Sequence, residues 1–392
     1  MSRTDWVKEE ISSLKESGRY VPIRTVQTPQ GAWVKIEGRK LLNLCSNNYL
    51  GLANHPEVKK AMHDAIDTFG VGAGAVRSIA GTMEIHIKLE ERVAKFKHME
   101  GSLVYQGGLL ANLGTIPALV GKEDLVFSEE LNHASIIDGV RLSSAKRVVF
   151  SHLSASDLEE KLKAERGNGK RALVVTDGVF SMDGDIAPLK EETELAERYN
   201  AMMYVDDAHG EGVLGDHGRG IVDHFKLAGR VDVEMGTFSK AVGVMGGFVA
   251  GSASLIDYLK QKARPFLFSS ALNPGEVAAI MKSLEIMERD DSLLKKLWNN
   301  SDFLKEKLRT LGFNTGTSKT PITPVIIGDE KNTVEFSKQL YEGGIFASPI
   351  VYPTVPKGTA RIRLMPSAVH SREDLKYAGD KFEEIGKRMN II

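Results

Sequence analysis

A lysine set among small polar residues, an aspartate at the end of an apolar run and histidines near strand ends are the groups of this chain with chemistry to offer. Tyr204–Gly210 reads Y-V-D-D-A-H-G, so a buried-looking strand ends in Asp206, Asp207 and His209. Open α/β sheets bind ligands at the carboxyl ends of their strands. An acid there can hold a positive charge that is costly to bury alone. Gly236–Ala241, G-T-F-S-K-A, follows another apolar run. Lys240 has the neighbours of a lysine lowered into a tight pocket, where desolvation favours the neutral, nucleophilic amine. Each group alone has an ordinary explanation: a strand-end aspartate caps turns, and most lysines are solvated.

Three more segments carry donors. Tyr105–Asn112, Y-Q-G-G-L-L-A-N, puts two glycines at a strand-to-helix junction, where free backbone N–H groups take a phosphate. Leu131–Arg141, L-N-H-A-S-I-I-D-G-V-R, places His133 at a helix start after a strand. Thr176–Gly184, T-D-G-V-F-S-M-D-G, brings Ser181 toward the same crevice, although its Asp-Gly pairs also read as turns. Thr237 and Ser239 can bond a phosphate or cap a turn. Jointly these groups ask for one ligand with a phosphate, a ring nitrogen that wants a carboxylate and an aldehyde that wants a lysine. Pyridoxal 5'-phosphate (PLP) has all three.

The elements that must position these groups alternate. His55-Pro56 opens a helix with Val58, Met62, Ile66 and Phe69 on one face, and Gly70 closes it. A Gly-rich loop, Gly70–Ala75, precedes a second helix striped by Ile85, Leu89, Val93 and Phe96. Short apolar runs follow at Leu103–Tyr105, Leu125–Phe127, Arg147–Phe150, Ala172–Thr176, Ala201–Val205 and Val231–Met235. They do not alternate, as expected of strands buried on both faces of a mainly parallel sheet. Helical segments such as Leu109–Leu119 and Pro188–Tyr199 intervene, which is the βαβ pattern of an α/β domain. After Asn273-Pro274 a long charged helical stretch runs to Leu311. Strands at Ile322–Ile327 and Ala360–Leu364 and helices near Lys331–Gly343 and Arg372–Arg388 then predict a smaller α+β lobe. The expected division is an N-terminal arm and substrate-contacting segment over 1–50, a large cofactor domain over 51–285 and a small C-terminal domain over 286–392.

Composition narrows the classes. The chain has 392 residues, 42% hydrophobic and 26% charged, the balance of a folded globular protein. Its net charge of −1 argues against nucleic acid as a main partner while allowing a local basic pocket. Cys45 is the single cysteine, which excludes an internal disulfide or a thiolate metal cage and suits a reducing cytoplasm. No apolar run is long enough to span a membrane. The first twenty residues mix acids and bases without an apolar core, so a signal peptide is not expected. Val7, Ile11 and Leu14 predict a short amphipathic docking helix stopped by Gly18. A DNA-binding regulator would need a module for which the segment before Cys45 is too short.

Long strings then resemble one family. Cys45–Pro56 (C-S-N-N-Y-L-G-L-A-N-H-P), Leu131–Leu142, Thr176–Gly184, Arg264–Ser269 (R-P-F-L-F-S) and Val355–Arg363 (V-P-K-G-T-A-R-I-R) are similar to the α-oxoamine synthases, PLP enzymes of the aspartate-aminotransferase fold, fold type I. The likeness spans nearly the whole chain. It implies that Lys240 holds the cofactor as a Schiff base and later acts as general base. It implies that Asp206 pairs with the pyridine nitrogen, His209 bonds the ring hydroxyl oxygen, His133 stacks on the ring and Ser181 lies beside it. Gly108, Leu109 and Thr237 would hold the phosphate, completed by Ser269 and Ser270 from the second subunit of a homodimer. Asn47 and Arg363 would hold the substrate carboxylate, with Arg361 as competitor.

The implied reaction joins an amino acid to an acyl-CoA, with histidine donors stabilising the developing oxyanion. The lysine and aspartate alone would equally serve an aminotransferase or a decarboxylase; the strings around His133 and Val355–Arg363 favour acyl transfer. Ala75–Thr82 and Val355–Arg363 point to the branch that condenses glycine with acetyl-CoA to 2-amino-3-oxobutanoate, in threonine and glycine metabolism. Val205–Gly215, V-D-D-A-H-G-E-G-V-L-G, is closer to the sister branch, which joins alanine to pimeloyl-CoA in biotin synthesis. The expected order is glycine and acetyl-CoA first, with the sister reaction or a dual activity as alternative.

Overall fold

The computed structural model describes residues 2–16, 20 and 23–392. Seven strands build its central sheet in the spatial order Gly101–Tyr105, Gly247–Gly251, Val233–Thr237, Met202–Asp206, Ala172–Asp177, Leu125–Glu129 and Lys146–Phe150. The last five pair in parallel. Gly247–Gly251 runs antiparallel to both of its neighbours. This is the mainly parallel sheet that the apolar runs predict, and six of the strands fall where expected. The Gly247–Gly251 strand, G-F-V-A-G, is not expected, because glycine at both ends reads as loop. Here the glycines admit close packing: a Cβ on Gly247 would lie 2.6 Å from the Gly108 amide nitrogen.

Successive strand residues feed opposite cores. Val174 and Val205 join Leu89, Val93 and Phe96 of the Glu84–Lys97 helix on one side of the sheet. Leu173, Val175 and Tyr204 join Ala111 and Ile136, from the helices Gly108–Leu119 and Ala134–Ser143, on the other. Burial of both faces explains why these strands read as unbroken apolar runs.

The charged stretch after Asn273 is two helices, Pro274–Arg289 and Ser292–Thr310, broken where Asp290 is extended (φ −164°, ψ 161°). The first packs into the core of the large sheet through Val277, Ile280 and Leu284. The second sends Leu304 and Leu308 into a separate core with Phe336, Ile362 and Phe382. There Ala360–Leu364 is the middle strand of a three-stranded antiparallel sheet with Thr323–Gly328 and Pro349–Ile350. Leu42 and Leu44 join that core, since Arg39–Asn43 pairs in parallel with Ile345–Phe346. The segment that carries Asn47 is thus tied to the C-terminal elements that carry Arg363. The N-terminal helix forms over Asp5–Glu16 but buries no residue; the expected stop, Gly18, lies outside the described residues.

Candidate active site

Strand ends and helix starts meet in one cleft. Its wall includes Gly108, Leu109, His133, Ser181, Asp206, His209, Thr237 and Lys240, eight of the residues expected from the sequence. Asp206 ends its strand and stands in register with Asp177 on the neighbouring strand. The Asn112 side-chain amide donates to Asp206 Oδ2 at 2.7 Å and the Ala208 backbone N–H to Oδ1 at 3.0 Å. Asn112 is itself fixed by Tyr204, whose hydroxyl donates to Asn112 Oδ1 at 2.6 Å. A carboxylate held at both oxygens keeps its direction. Asp177 is occupied otherwise, accepting the His133 backbone N–H at 2.7 Å. Burial and the nearby Asp206 charge raise its pKa well above the ordinary aspartate value.

Lys240 follows the Val233–Thr237 strand. Burial lowers its pKa below the usual lysine value, against the pull of Asp206 and Asp177. A lysine so placed supplies the neutral amine that attacks an aldehyde. His133 caps the Ala134–Ser143 helix, and its Nδ1 accepts the Ser135 N–H at 3.2 Å. Its burial lowers its pKa, so the neutral ring carries its proton on Nε2. His209 is buried too, and burial followed by the Lys240 and Arg363 charges lowers its pKa well below the usual histidine value.

Gly108 and Leu109 open a twelve-residue helix, with its unpaired backbone N–H groups at this end. A Cβ on Gly108 would come within 3.1 Å of Thr237, and one on Gly107 meets nothing within 4 Å. The start of this helix and Thr237 therefore face one small space suited to a phosphate. Thr237 Oγ1 donates to the Gly246 carbonyl at 3.0 Å and lies 2.9 Å from Ser239 Oγ.

Arg363 is half-buried, with a guanidinium only partly used. Its Nε donates to the Ser181 carbonyl at 2.5 Å and its Nη1 to Asn47 Oδ1 at 3.2 Å, which joins the two residues expected to hold a carboxylate. Its Nη2 is buried without a partner. Arg361 is committed instead to Asp183, with further bonds to the Met182 and Thr359 carbonyls. Ser269 and Ser270 do not line this cleft; the Gln106 side chain donates to the Ser270 carbonyl.

Sequence reasoning missed the supports. Asn112, Ser135 and Asp177 fell inside segments singled out for chemistry but were given no role there, and Tyr49 lay outside them; the partners of Asn112, Asp177 and Tyr49 are distant along the chain. Among the described residues no cluster of His, Cys, Asp and Glu is arranged to hold a metal ion, and no helix is long and apolar enough to cross a membrane.

The chain matches known proteins in sequence and in fold. The model of the family "Aminotransferase class I and II" matches residues 39–382. A structure of SPT (serine palmitoyltransferase) with PLP superposes at a TM-score of 0.94, with 32% identity, over 100% of this chain and 99% of that one. The chain belongs to the class I and II aminotransferase family and, within it, to the α-oxoamine synthases, as a PLP-dependent enzyme of the acyltransferase type. The particular relatives are sharper. The 8-amino-7-oxononanoate synthase of Thermosipho melanesiensis is 59% identical over 98% of both chains. That of Petrotoga mobilis is 58% identical, again over 98% of both. These relatives favour the sister reaction over the glycine and acetyl-CoA reading placed first from the sequence.

The cleft fits the cofactor by its own chemistry. It offers an acid at a strand end, a desolvated lysine, and helix-start N–H groups with a hydroxyl, as PLP requires.

Proposed function

We propose that this chain is an 8-amino-7-oxononanoate synthase, joining an amino acid, alanine, to pimeloyl-CoA with release of CoA and carbon dioxide. The relatives' product is a nine-carbon amino-oxo acid. A seven-carbon acyl group and a three-carbon amino acid give that skeleton when one carboxylate leaves. The observation that carries the site assignment is the buried, unpartnered Nη2 of Arg363 beside Asn47. A buried guanidinium N–H left open is costly, and a substrate carboxylate satisfies it in bidentate fashion.

In this reading Lys240 binds PLP, Asp206 holds the pyridine nitrogen's proton, His209 donates to the ring oxygen and His133 lies against the ring face. Gly108, Leu109 and Thr237 take the phosphate, and Ser181 fixes the edge through its carbonyl on Arg363. When bound, PLP supplies the electron sink that acidifies the amino acid's Cα–H. Lys240, as a neutral amine, would take that proton as general base. Nε2–H of His133 is a donor for the oxygen that gains charge when the thioester carbonyl is attacked. Asn47 and Arg363 would hold the amino acid's carboxylate and so fix its orientation in the cleft.

The reading includes a cytoplasmic homodimer, in which Ser269 and Ser270 of one subunit complete the phosphate site of the other. Sedimentation should give a dimer, and a fully active monomer would contradict it. The function itself is tested by incubating holoenzyme with alanine and pimeloyl-CoA. CoA and 8-amino-7-oxononanoate should appear in equal amounts; no product from this pair would overturn the proposal.

A further inference from the structure

Tyr49 lies outside every role assigned above, yet its hydroxyl oxygen is 2.8 Å from His209 Nδ1. The phenol is 1% exposed, and it has no other hydrogen-bond partner among the described residues. The two rings meet edge to face at 90°, with centroids 6.1 Å apart. Tyr49 is rigidly held: its backbone N–H donates to the Asn47 carbonyl, its carbonyl accepts from the Ala368 N–H, and its ring packs in the core of the large sheet.

A neutral imidazole has one N–H and one lone pair, and its partner decides which nitrogen carries which. Burial keeps the His209 ring neutral and the Tyr49 phenol protonated. The phenol O–H is the stronger donor of the pair and imidazole nitrogen the stronger acceptor. The hydroxyl therefore donates to Nδ1, and the proton of His209 resides on Nε2. His133 reaches the same tautomer by another route, the Ser135 backbone N–H on its Nδ1. Both imidazoles of the cleft thus present Nε2–H.

We propose that Tyr49 is a positioning residue that fixes His209 as the Nε2–H tautomer, so that it donates to the anionic ring oxygen of PLP. This rests on the reading of the cleft given above. A donor at that oxygen favours its deprotonated form, so losing it raises the pH midpoint of the bound cofactor's absorbance change and loosens the cofactor.

Tyr49→Phe removes one oxygen and keeps the packed ring. Its PLP dissociation constant should rise about tenfold, the scale of one hydrogen bond to a charged group, and its absorbance midpoint should move up. In a His209→Gln background, where the amide nitrogen stands in for Nε2 without needing Tyr49, the same change should do little. Unchanged binding and midpoint in Tyr49→Phe, or an equal loss in both backgrounds, would overturn the proposal. Nitrogen-15 spectra of wild-type apoenzyme read the tautomer without any variant. A lone-pair shift at His209 Nδ1 is expected, and a protonated Nδ1 contradicts the proposal. That measurement stands whatever the substrate pair proves to be.

Discussion

Arg361 and Arg363 share one face of a strand and grip the same loop, but only Arg363 keeps a buried N–H without a partner. Arg361 closes on Asp183, while Arg363 holds the Ser181 carbonyl and Asn47. Alternation along a strand puts residues two apart on one side, so the R-I-R string alone gives two equal candidates. Only the position of Asp183 separates them.

Arg363→Ala should therefore reduce kcat/KM for the amino acid by about 10²- to 10³-fold, the usual loss when one partner of a buried charged pair is truncated. Arg363→Lys should recover little, because an ammonium does not reproduce the fork. Steady-state kinetics with the amino acid varied separates the cases. Arg361→Ala should act mainly on thermal stability, by freeing Asp183; if it lowers kcat/KM more than Arg363→Ala, the carboxylate assignment is reversed.

Asp206→Asn should lower kcat by about 10²-fold or more, a barrier rise of a few kcal/mol, because the ring nitrogen loses its charged partner. Asn112→Leu keeps the acid but frees one of its oxygens, and about a tenfold loss is expected from one charge-assisted hydrogen bond. Rapid-quench measurement of the first turnover reports both. An Asp206→Asn enzyme within threefold of wild type would remove this residue from its role.

His152 ties the loop that carries Ser181 to the sheet. Its Nδ1 is 2.6 Å from Glu129, and its Nε2 is 3.5 Å from Asp185. Opposed by burial, the Asp185 carboxylate facing Nε2 and the Glu129 carboxylate bonded to Nδ1 raise its pKa to about 9. A raised folded value means the protonated ring stabilises the fold fully below the ordinary histidine pKa, about 6.5. That contribution fades as pH climbs through about 9. Thermal melts should show His152→Gln clearly less stable than wild type near pH 6 and the gap narrowing by pH 10. A gap that is constant or widens with pH would show that the charge is not the cause.

Much of the cleft was legible because its reactive residues sit where strands end, and those ends are marked by apolar runs that stop at Asp206 and Thr237. The phosphate site was legible for a similar reason, since Gly107-Gly108 opens a helix. What stayed hidden depends on distance along the chain. Asn112 reaches Asp206 across 94 positions and Tyr49 reaches His209 across 160, and no local pattern records either pairing. The Gly247–Gly251 strand was hidden by its glycines, which serve close backbone packing rather than a turn. The break at Asp290 was hidden because charged residues continue the helical pattern on both sides.

Pocket preference for an acyl chain is the weakest signal in the sequence, since each methylene changes discrimination by only about 1–3 kcal/mol. The central claim is therefore tested most directly by comparing kcat/KM of the holoenzyme for two substrate pairs under one CoA-release assay. Alanine with pimeloyl-CoA should exceed glycine with acetyl-CoA, by about tenfold or more if two or more methylenes are recognised. A higher value for glycine with acetyl-CoA would contradict the account and identify a glycine C-acetyltransferase instead.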